Sequence, residues 1–253
     1  MSDVLCAIAT YGLVDVLGTL LDQLHVQTVR PDVFLVDYSP PRERQAVEYE
    51  VQQYGGHFMH LPFDTWWHRA CPHGSALELA WQWAMSLAER PEFFWIMHSD
   101  CLLRSRETCE KLCSLAKEHG AAGWRAQRYD DNPYHQGWLT TVGGMLHVPV
   151  WSKLPLHFAG HPTAMICETP NLDEFSVSDR YDPEVCLNIL ATRNGITPFT
   201  FSDPSKREPP DELLDHLGSS TLHLIYGREN EECEKHKLAK IRETRGLVLG
   251  EKL

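Results

Sequence analysis

The sequence predicts an α/β fold, with a mostly parallel central sheet flanked by helices and a loop-rich second half. Three observations carry that expectation. Uncharged apolar runs recur at Val4–Ala9, Val33–Val36 and Phe93–Met97, the pattern of strands buried on both faces. Between the first two runs, Leu17, Leu20, Leu21 and Leu24 line one face of a helix spanning Asp15 to Leu24. Strand, helix and strand in close succession make a β-α-β unit, which implies parallel pairing and a right-handed crossover.

The remaining elements follow in order. Pro40-Pro41 stops the second strand, and a helix from Arg42 to Tyr54 ends at Gly55-Gly56. His57 to Leu61 is a third strand, and residues 62–74 form a loop carrying Trp66, Trp67 and His68. Ser75-x-x-Glu78 has the spacing of a capping box, and Leu77, Ala80, Trp81, Ala84 and Leu87 then share a helical face. After the strand at Phe93, a helix is expected from Ser105 to His119, closed by Gly120. The second half is less regular: a short strand at Ala121–Trp124, a Gly-interrupted strand or hairpin from Leu139 to Val150, and a loop-rich cap over 155–180. A helix from Pro183 to Asn194, a strand from Ile196 to Phe201, a short helix from Asp211 to Leu217 and a solvated, charge-rich helix within 228–245 complete the reading.

Hydrophobic residues at 43% and charged residues at 23% are ordinary for a globular chain and argue against disorder. The formal charge of −12 weighs against long polyanions as partners, unless a local basic patch or a divalent ion offsets it. The eight cysteines show no paired C-x₂-C zinc spacing, although Cys109 and Cys113 share a helical face; small buried thiols are the expectation. No run of about 18 apolar residues occurs, so the expectation is a soluble, cytoplasmic protein in a reducing compartment.

Chemistry is concentrated where the apolar strand turns polar, at His98-Ser99-Asp100. Ligands of open α/β sheets bind beyond the carboxyl ends of the strands, so Asp100 is placed for function; the competing role is an N-cap for the next helix. Asp37 ends the second strand in the same way, with a turn-forming aspartate as its alternative.

These residues resemble a known family. Ala7-Ile8-Ala9-Thr10-Tyr11, Gln23-Leu24-His25-Val26-Gln27-Thr28, Leu35-Val36-Asp37-Tyr38-Ser39 and Phe94-Trp95-Ile96-Met97-His98-Ser99-Asp100 look like the nucleotide-sugar-binding half of a family-2-type glycosyltransferase with the GT-A fold. The resemblance covers roughly residues 4–226. It implies one domain over 1–227, with a nucleotide-sugar half at 1–103 and an acceptor half at 104–227, and a charged C-terminal helix and tail at 228–253.

It also implies roles. Thr10, Tyr11 and Asp37 would hold the nucleoside, while Ser99 and Asp100 would lie against the donor diphosphate. The family's D-x-D motif reads His-Ser-Asp in this chain, so its first carboxylate is missing; Asp100 matches the direct ligand of Mn²⁺ or Mg²⁺, and His98 offers an imidazole. His223, ahead of Tyr226-Gly227, is similar to a late metal-binding histidine. Gly143-Gly144 resembles a glycine pair on the acceptor-side strand. The segment from Asp179 to Gly195 resembles the one that donates the catalytic base, leaving Asp182, Asp179 and Glu184 as alternatives.

The implied activity is metal-dependent sugar transfer from a nucleotide diphosphate sugar, a UDP-sugar in the first instance, to a hydroxyl acceptor. A true base at Asp182 or Asp179 implies inversion. Trp66, Trp67, Trp138 and Trp151 suit the apolar face of an acceptor or the packing of a core, and Arg125 and Arg128 suit phosphates or surface pairing. The acceptor class stays open among glycans, small glycosides, lipid-linked sugars, proteins and modified nucleic-acid bases. Two rivals are a nucleotidyltransferase of similar fold, which would want a basic Gly-rich loop that Thr10-Tyr11-Gly12-Leu13-Val14-Asp15 lacks, and a catalytically silent nucleotide-sugar-binding scaffold.

Overall fold

A computed structural model describes residues 2–11, 14–39, 41–61, 72–125, 139–158, 183–201, 213–217 and 231–251 of the 253-residue chain. The strands are β1 (Val4–Thr10), β2 (Asp32–Asp37), β3 (His57–His60), β4 (Phe93–His98), β5 (Cys101–Leu103), β6 (Ala121–Trp124), β7 (Met145–His147), β8 (Phe199–Phe201) and β9 (Leu214–His216). The helices are α1 (Val14–His25), α2 (Pro41–Tyr54), α3 (Pro72–Ser86), α4 (Thr108–His119), α5 (Val148–Trp151), α6 (Pro183–Arg193) and α7 (Glu231–Leu249).

Seven strands form one sheet in the order β3-β2-β1-β4-β7-β6-β8, and β5 and β9 form a separate two-stranded sheet. β1, β2, β3 and β4 are mutually parallel where they pair, whereas β7 runs antiparallel to both β4 and β6. The expectation of a mostly parallel sheet flanked by helices therefore holds. β4 shows why its sequence carries no charge: Phe93, Trp95 and Met97 enter the core shared with α1, α2 and α4, and Phe94 and Ile96 enter the one shared with α3 and α6. A strand with both faces covered has no position left for a solvated side chain.

Trp95 donates its indole N–H to the Gly143 carbonyl at 3.0 Å, which joins β4 to the segment entering β7. Gly143 adopts φ +97°, and a Cβ there would lie 2.8 Å from the Trp124 ring. Both the backbone conformation and the space require glycine.

Four local expectations are revised. α3 begins at Pro72, so Ser75 and Glu78 are not a capping box; Glu78 instead accepts the Phe158 N–H at 2.7 Å and meets His157 Nδ1 at 3.2 Å. The segment expected as a helix over Asp211–Leu217 contains the strand β9, because Leu214, Asp215 and His216 pair antiparallel with β5. Leu139 to Val150 holds a three-residue strand that passes directly into the helical turn α5. The C-terminal helix is not solvated all round: Thr244 and Val248 are fully buried and it packs on α1 and β5.

Candidate metal centre and donor cleft

β1 is flanked by β2 on one side and β4 on the other, so the chain departs in opposite directions from the middle of the sheet. At such a switch point the loops after the two strands part and leave a crevice beyond their carboxyl ends. Ala9 is in register with His98, which sets Thr10 and Ser99 side by side at that rim.

Asp100 occupies the turn between β4 and β5, not the start of a helix. The next helix, α4, begins at Thr108 with Glu107 in its N-cap position, which excludes the N-cap role for Asp100. β5 pairs with β9 so that Cys101 faces His216, and the Leu217 N–H donates to the Asp100 carbonyl at 3.1 Å. That pairing delivers His216 Nε2 to 3.3 Å from Asp100 Oδ1, while His98 Nδ1 stands 3.8 Å from the same oxygen. One ligand atom from each of His98, Asp100 and His216 falls within 4.8 Å of the others, the one such cluster among the described residues.

Burial pushes the His98 imidazole down to about 4, helped by His216 and opposed by Asp100. Its ring therefore carries a lone pair at neutral pH, as a metal ligand must. His73, in the first turn of α3, sits edge-on to His98 with ring centroids 4.2 Å apart. Burial, with a smaller contribution from His98, holds His73 well below the usual histidine range, and its Nε2 is buried without a hydrogen-bond partner among the described residues.

Two imidazoles and a carboxylate, with Asp100 Oδ1 3.3 and 3.8 Å from the two ring nitrogens, fit a divalent cation held by ligand bonds of about 2.1 Å. The nitrogen-rich set suits a first-row ion better than Mg²⁺, which prefers oxygen throughout. His216 was not among the histidines singled out from the sequence. Its signal was the Leu214-Asp215-His216 alternation, too short to distinguish from a helical turn without its partner strand.

The other sequence candidates divide clearly. Thr10 is fully buried at the end of β1, and Tyr11 beyond it pairs with Tyr38, ring centroids 5.5 Å apart, at the ends of β1 and β2. Ser99 is buried between His98 and Asp100. Asp37 is fully buried: Oδ1 accepts the Ser39 N–H at 2.9 Å and Oδ2 meets His60 Nδ1 at 3.2 Å, the bonds of a turn-forming aspartate. Trp151 is a core residue whose indole donates to the Gly120 carbonyl. Arg125 directly follows β6 and is bridged to Leu139. Cys109 is a buried thiol pushed far above its usual range, first by a hydrogen bond with Cys113. Asp179, Asp182, His223, Trp66, Trp67, Trp138 and Arg128 lie outside the described residues.

Glu184 is described, and its carboxylate is engaged. Oε1 accepts from Thr140 Oγ1 at 2.5 Å, from the Thr141 N–H at 2.8 Å and from Thr141 Oγ1 at 3.1 Å.

No family model and no curated protein matches the sequence. Among solved structures, the chain is similar to the galactosyltransferase LgtC in complex with donor and acceptor sugar analogs, at 10% identity over 93% of this chain and 95% of that one, with a TM-score of 0.52. The chain has the GT-A fold. Weaker likenesses are to the glycosyltransferase GlyE of Streptococcus pneumoniae TIGR4, at 11% identity, 89% and 50% coverage and TM-score 0.43, and to glucosyl-3-phosphoglycerate synthase of Mycobacterium tuberculosis, at 12%, 77% and 80% and 0.43. The chain spans about half the length of GlyE. In this GT-A chain the metal-ligating candidates sit at the central switch point, one at the end of β4, one in the turn that follows it and one on β9. No described helix is long and apolar enough to cross a membrane.

Proposed function

We propose that this GT-A protein is a metal-dependent glycosyltransferase that moves a sugar from a nucleotide diphosphate sugar to a hydroxyl acceptor. The observation that carries the proposal is the convergence of His98, Asp100 and His216 at the switch point of the sheet. His98 and His216 come from strands that are neighbours only in space, and both bring a ring nitrogen to the same Asp100 oxygen.

His98, Asp100 and His216 would hold Mn²⁺ or a similar ion, whose charge, when bound, offsets the two negative charges developing on the departing diphosphate. The Tyr11–Tyr38 pair offers an aromatic surface for a nucleoside base at the rim formed by β1 and β2. Thr10 and Ser99 carry hydroxyls and backbone groups at the rim where a diphosphate would lie. Asp182 or Asp179, just ahead of α6 in sequence, takes the acceptor proton, and the reaction inverts the anomeric centre. LgtC was solved with donor and acceptor sugar analogs, which supports a two-substrate cleft in this fold. The chain is one GT-A domain over 1–227 followed by a charged C-terminal helix and tail over 228–253, the helix packing on α1 and β5, and buried free thiols such as Cys6 and Cys101 suit a reducing, cytoplasmic setting.

Crystals soaked with Mn²⁺ and, in turn, UDP-glucose, UDP-GlcNAc and GDP-mannose test this directly. The expected result is a cation on His98, Asp100 and His216 with a diphosphate against it. Nucleotide bound elsewhere, or none bound at millimolar donor, would remove the proposal.

A further inference from the structure

We propose that Glu184 is a positioning residue that acts through Thr141 to fix the tautomer of His98, so that Nδ1, the ring nitrogen facing Asp100, is the one without a proton. The consequence for metal affinity rests on the reading of His98, Asp100 and His216 as a metal centre; the tautomer itself does not.

The argument is one of proton counting. A threonine hydroxyl has a single proton to donate and lone pairs with which to accept. Thr141 Oγ1 has two neighbours that compete for that proton, Glu184 Oε1 at 3.1 Å and His98 Nε2 at 3.4 Å. The carboxylate is both charged and nearer, and charge-assisted hydrogen bonds are the stronger ones, so the proton belongs to Glu184. Thr140 is arranged in the same way: its hydroxyl donates to Glu184 and accepts the Val142 N–H at 3.2 Å. Toward His98, Thr141 Oγ1 is therefore an acceptor, and only an Nε2–H satisfies it.

A neutral imidazole carries one ring proton. With Nε2 protonated, Nδ1 presents its lone pair toward Asp100 Oδ1, across 3.8 Å, a gap too long for an N–H···O bond. Two electron-pair donors facing one another across that gap are what a cation requires between them. The opposite tautomer would place an N–H where the ion binds.

The arm that makes this possible is rigid. Glu184 and Asn188 are four residues apart on one face of α6, and the Asn188 side chain accepts the Leu139 N–H and donates to the Leu139 carbonyl, each at 2.8 Å. Residues 139–141 are thus held against α6 at two points, with Thr141 presented to His98. Metal-bound histidines in general are oriented by the partner of their other nitrogen, and loss of that partner costs roughly 10- to 100-fold in affinity.

The experiment is nitrogen NMR of histidine-labelled, metal-free protein at neutral pH, paired with calorimetric Mn²⁺ titration of wild type, Thr141→Val, Thr141→Ser and Glu184→Gln. Expected are an Nε2–H tautomer for His98 in wild type and Thr141→Ser, a tautomer mixture in Thr141→Val, and Mn²⁺ affinity lowered on the order of tenfold in Thr141→Val and Glu184→Gln alone. An Nδ1–H tautomer in wild type overturns the proposal, as does a Thr141→Val protein whose tautomer is unchanged. If wild type binds no Mn²⁺ yet shows the Nε2–H tautomer that Thr141→Val disturbs, the relay stands and the metal-centre reading falls.

Discussion

His216 Nε2 lies 3.3 Å from Asp100 Oδ1 because Cys101, the residue after Asp100, is the register partner of His216 in a two-stranded antiparallel sheet. The pairing of β5 with β9 thus does for the candidate metal centre what a covalent tether would do. If those two side chains share an ion, each is needed. Asp100→Asn and His216→Ala are expected to lower Mn²⁺ affinity at least on the order of tenfold, with circular dichroism unchanged, and Asp100→Asn to abolish sugar transfer. Calorimetry and a transfer assay with UDP-glucose check both, and full activity in Asp100→Asn would remove Asp100 from the mechanism.

His98 stands where a carboxylate is usual in the resembled motif, and this substitution has a testable preference attached. Imidazole favours first-row ions over Mg²⁺. The wild-type protein is expected to bind Mn²⁺ more tightly than Mg²⁺, and His98→Asp to narrow the difference, as competition titrations would read.

Stability should depend on pH in a direction set by two half-buried imidazoles, those of His73 and His98. His98 has a folded value of about 4, below the ordinary histidine value of 6.5, and His73 is lowered as well. Between those values the unfolded chain binds more protons than the folded one, so stability is lost as pH falls from 6.5 towards 4 and is insensitive to these groups above 6.5. The loss attributable to His98 is on the order of 2–3 kcal/mol. Urea unfolding of wild type and His98→Gln across this range measures it, and parallel pH curves for the two proteins would contradict it.

Gly143→Ala is expected to destabilise by about 1–3 kcal/mol, since the added methyl meets Trp124 and the backbone is held in a conformation costly for alanine. Gly195→Ala is the control, because none of the described residues comes within 4 Å of a Cβ there although its φ of +66° is also positive. A larger midpoint shift for Gly143 than for Gly195 isolates the packing cost from the backbone cost.

Arg104 donates to Asp215 on β9 at 2.6 Å and to Glu243 on α7 at 2.8 Å, and Lys240 joins the same two carboxylates. This network clamps the strand that carries His216. Arg104→Met is expected to cost about 1–3 kcal/mol and to weaken Mn²⁺ binding along with it. Unchanged metal affinity in a folded Arg104→Met protein would show that β9 holds its register without the clamp.

The amino-acid sequence by itself determined the sheet and its buried strands. The charge-free runs of β1, β2 and β4 can be buried only with both faces covered, and the helix between β1 and β2 forces parallel pairing, so a mostly parallel sheet with Asp100 at the polar end of a buried strand follows from local pattern, while the neighbouring of β1 and β4 that makes the switch point does not. The tertiary structure alone decided which distant groups meet there. His216 reaches Asp100 through a three-residue pairing whose periodicity is too short to read, and His73 and Thr141 come to His98 from separate elements. Hydrophobic periodicity records which face of an element is buried; it carries no record of the partner against which a polar side chain is set.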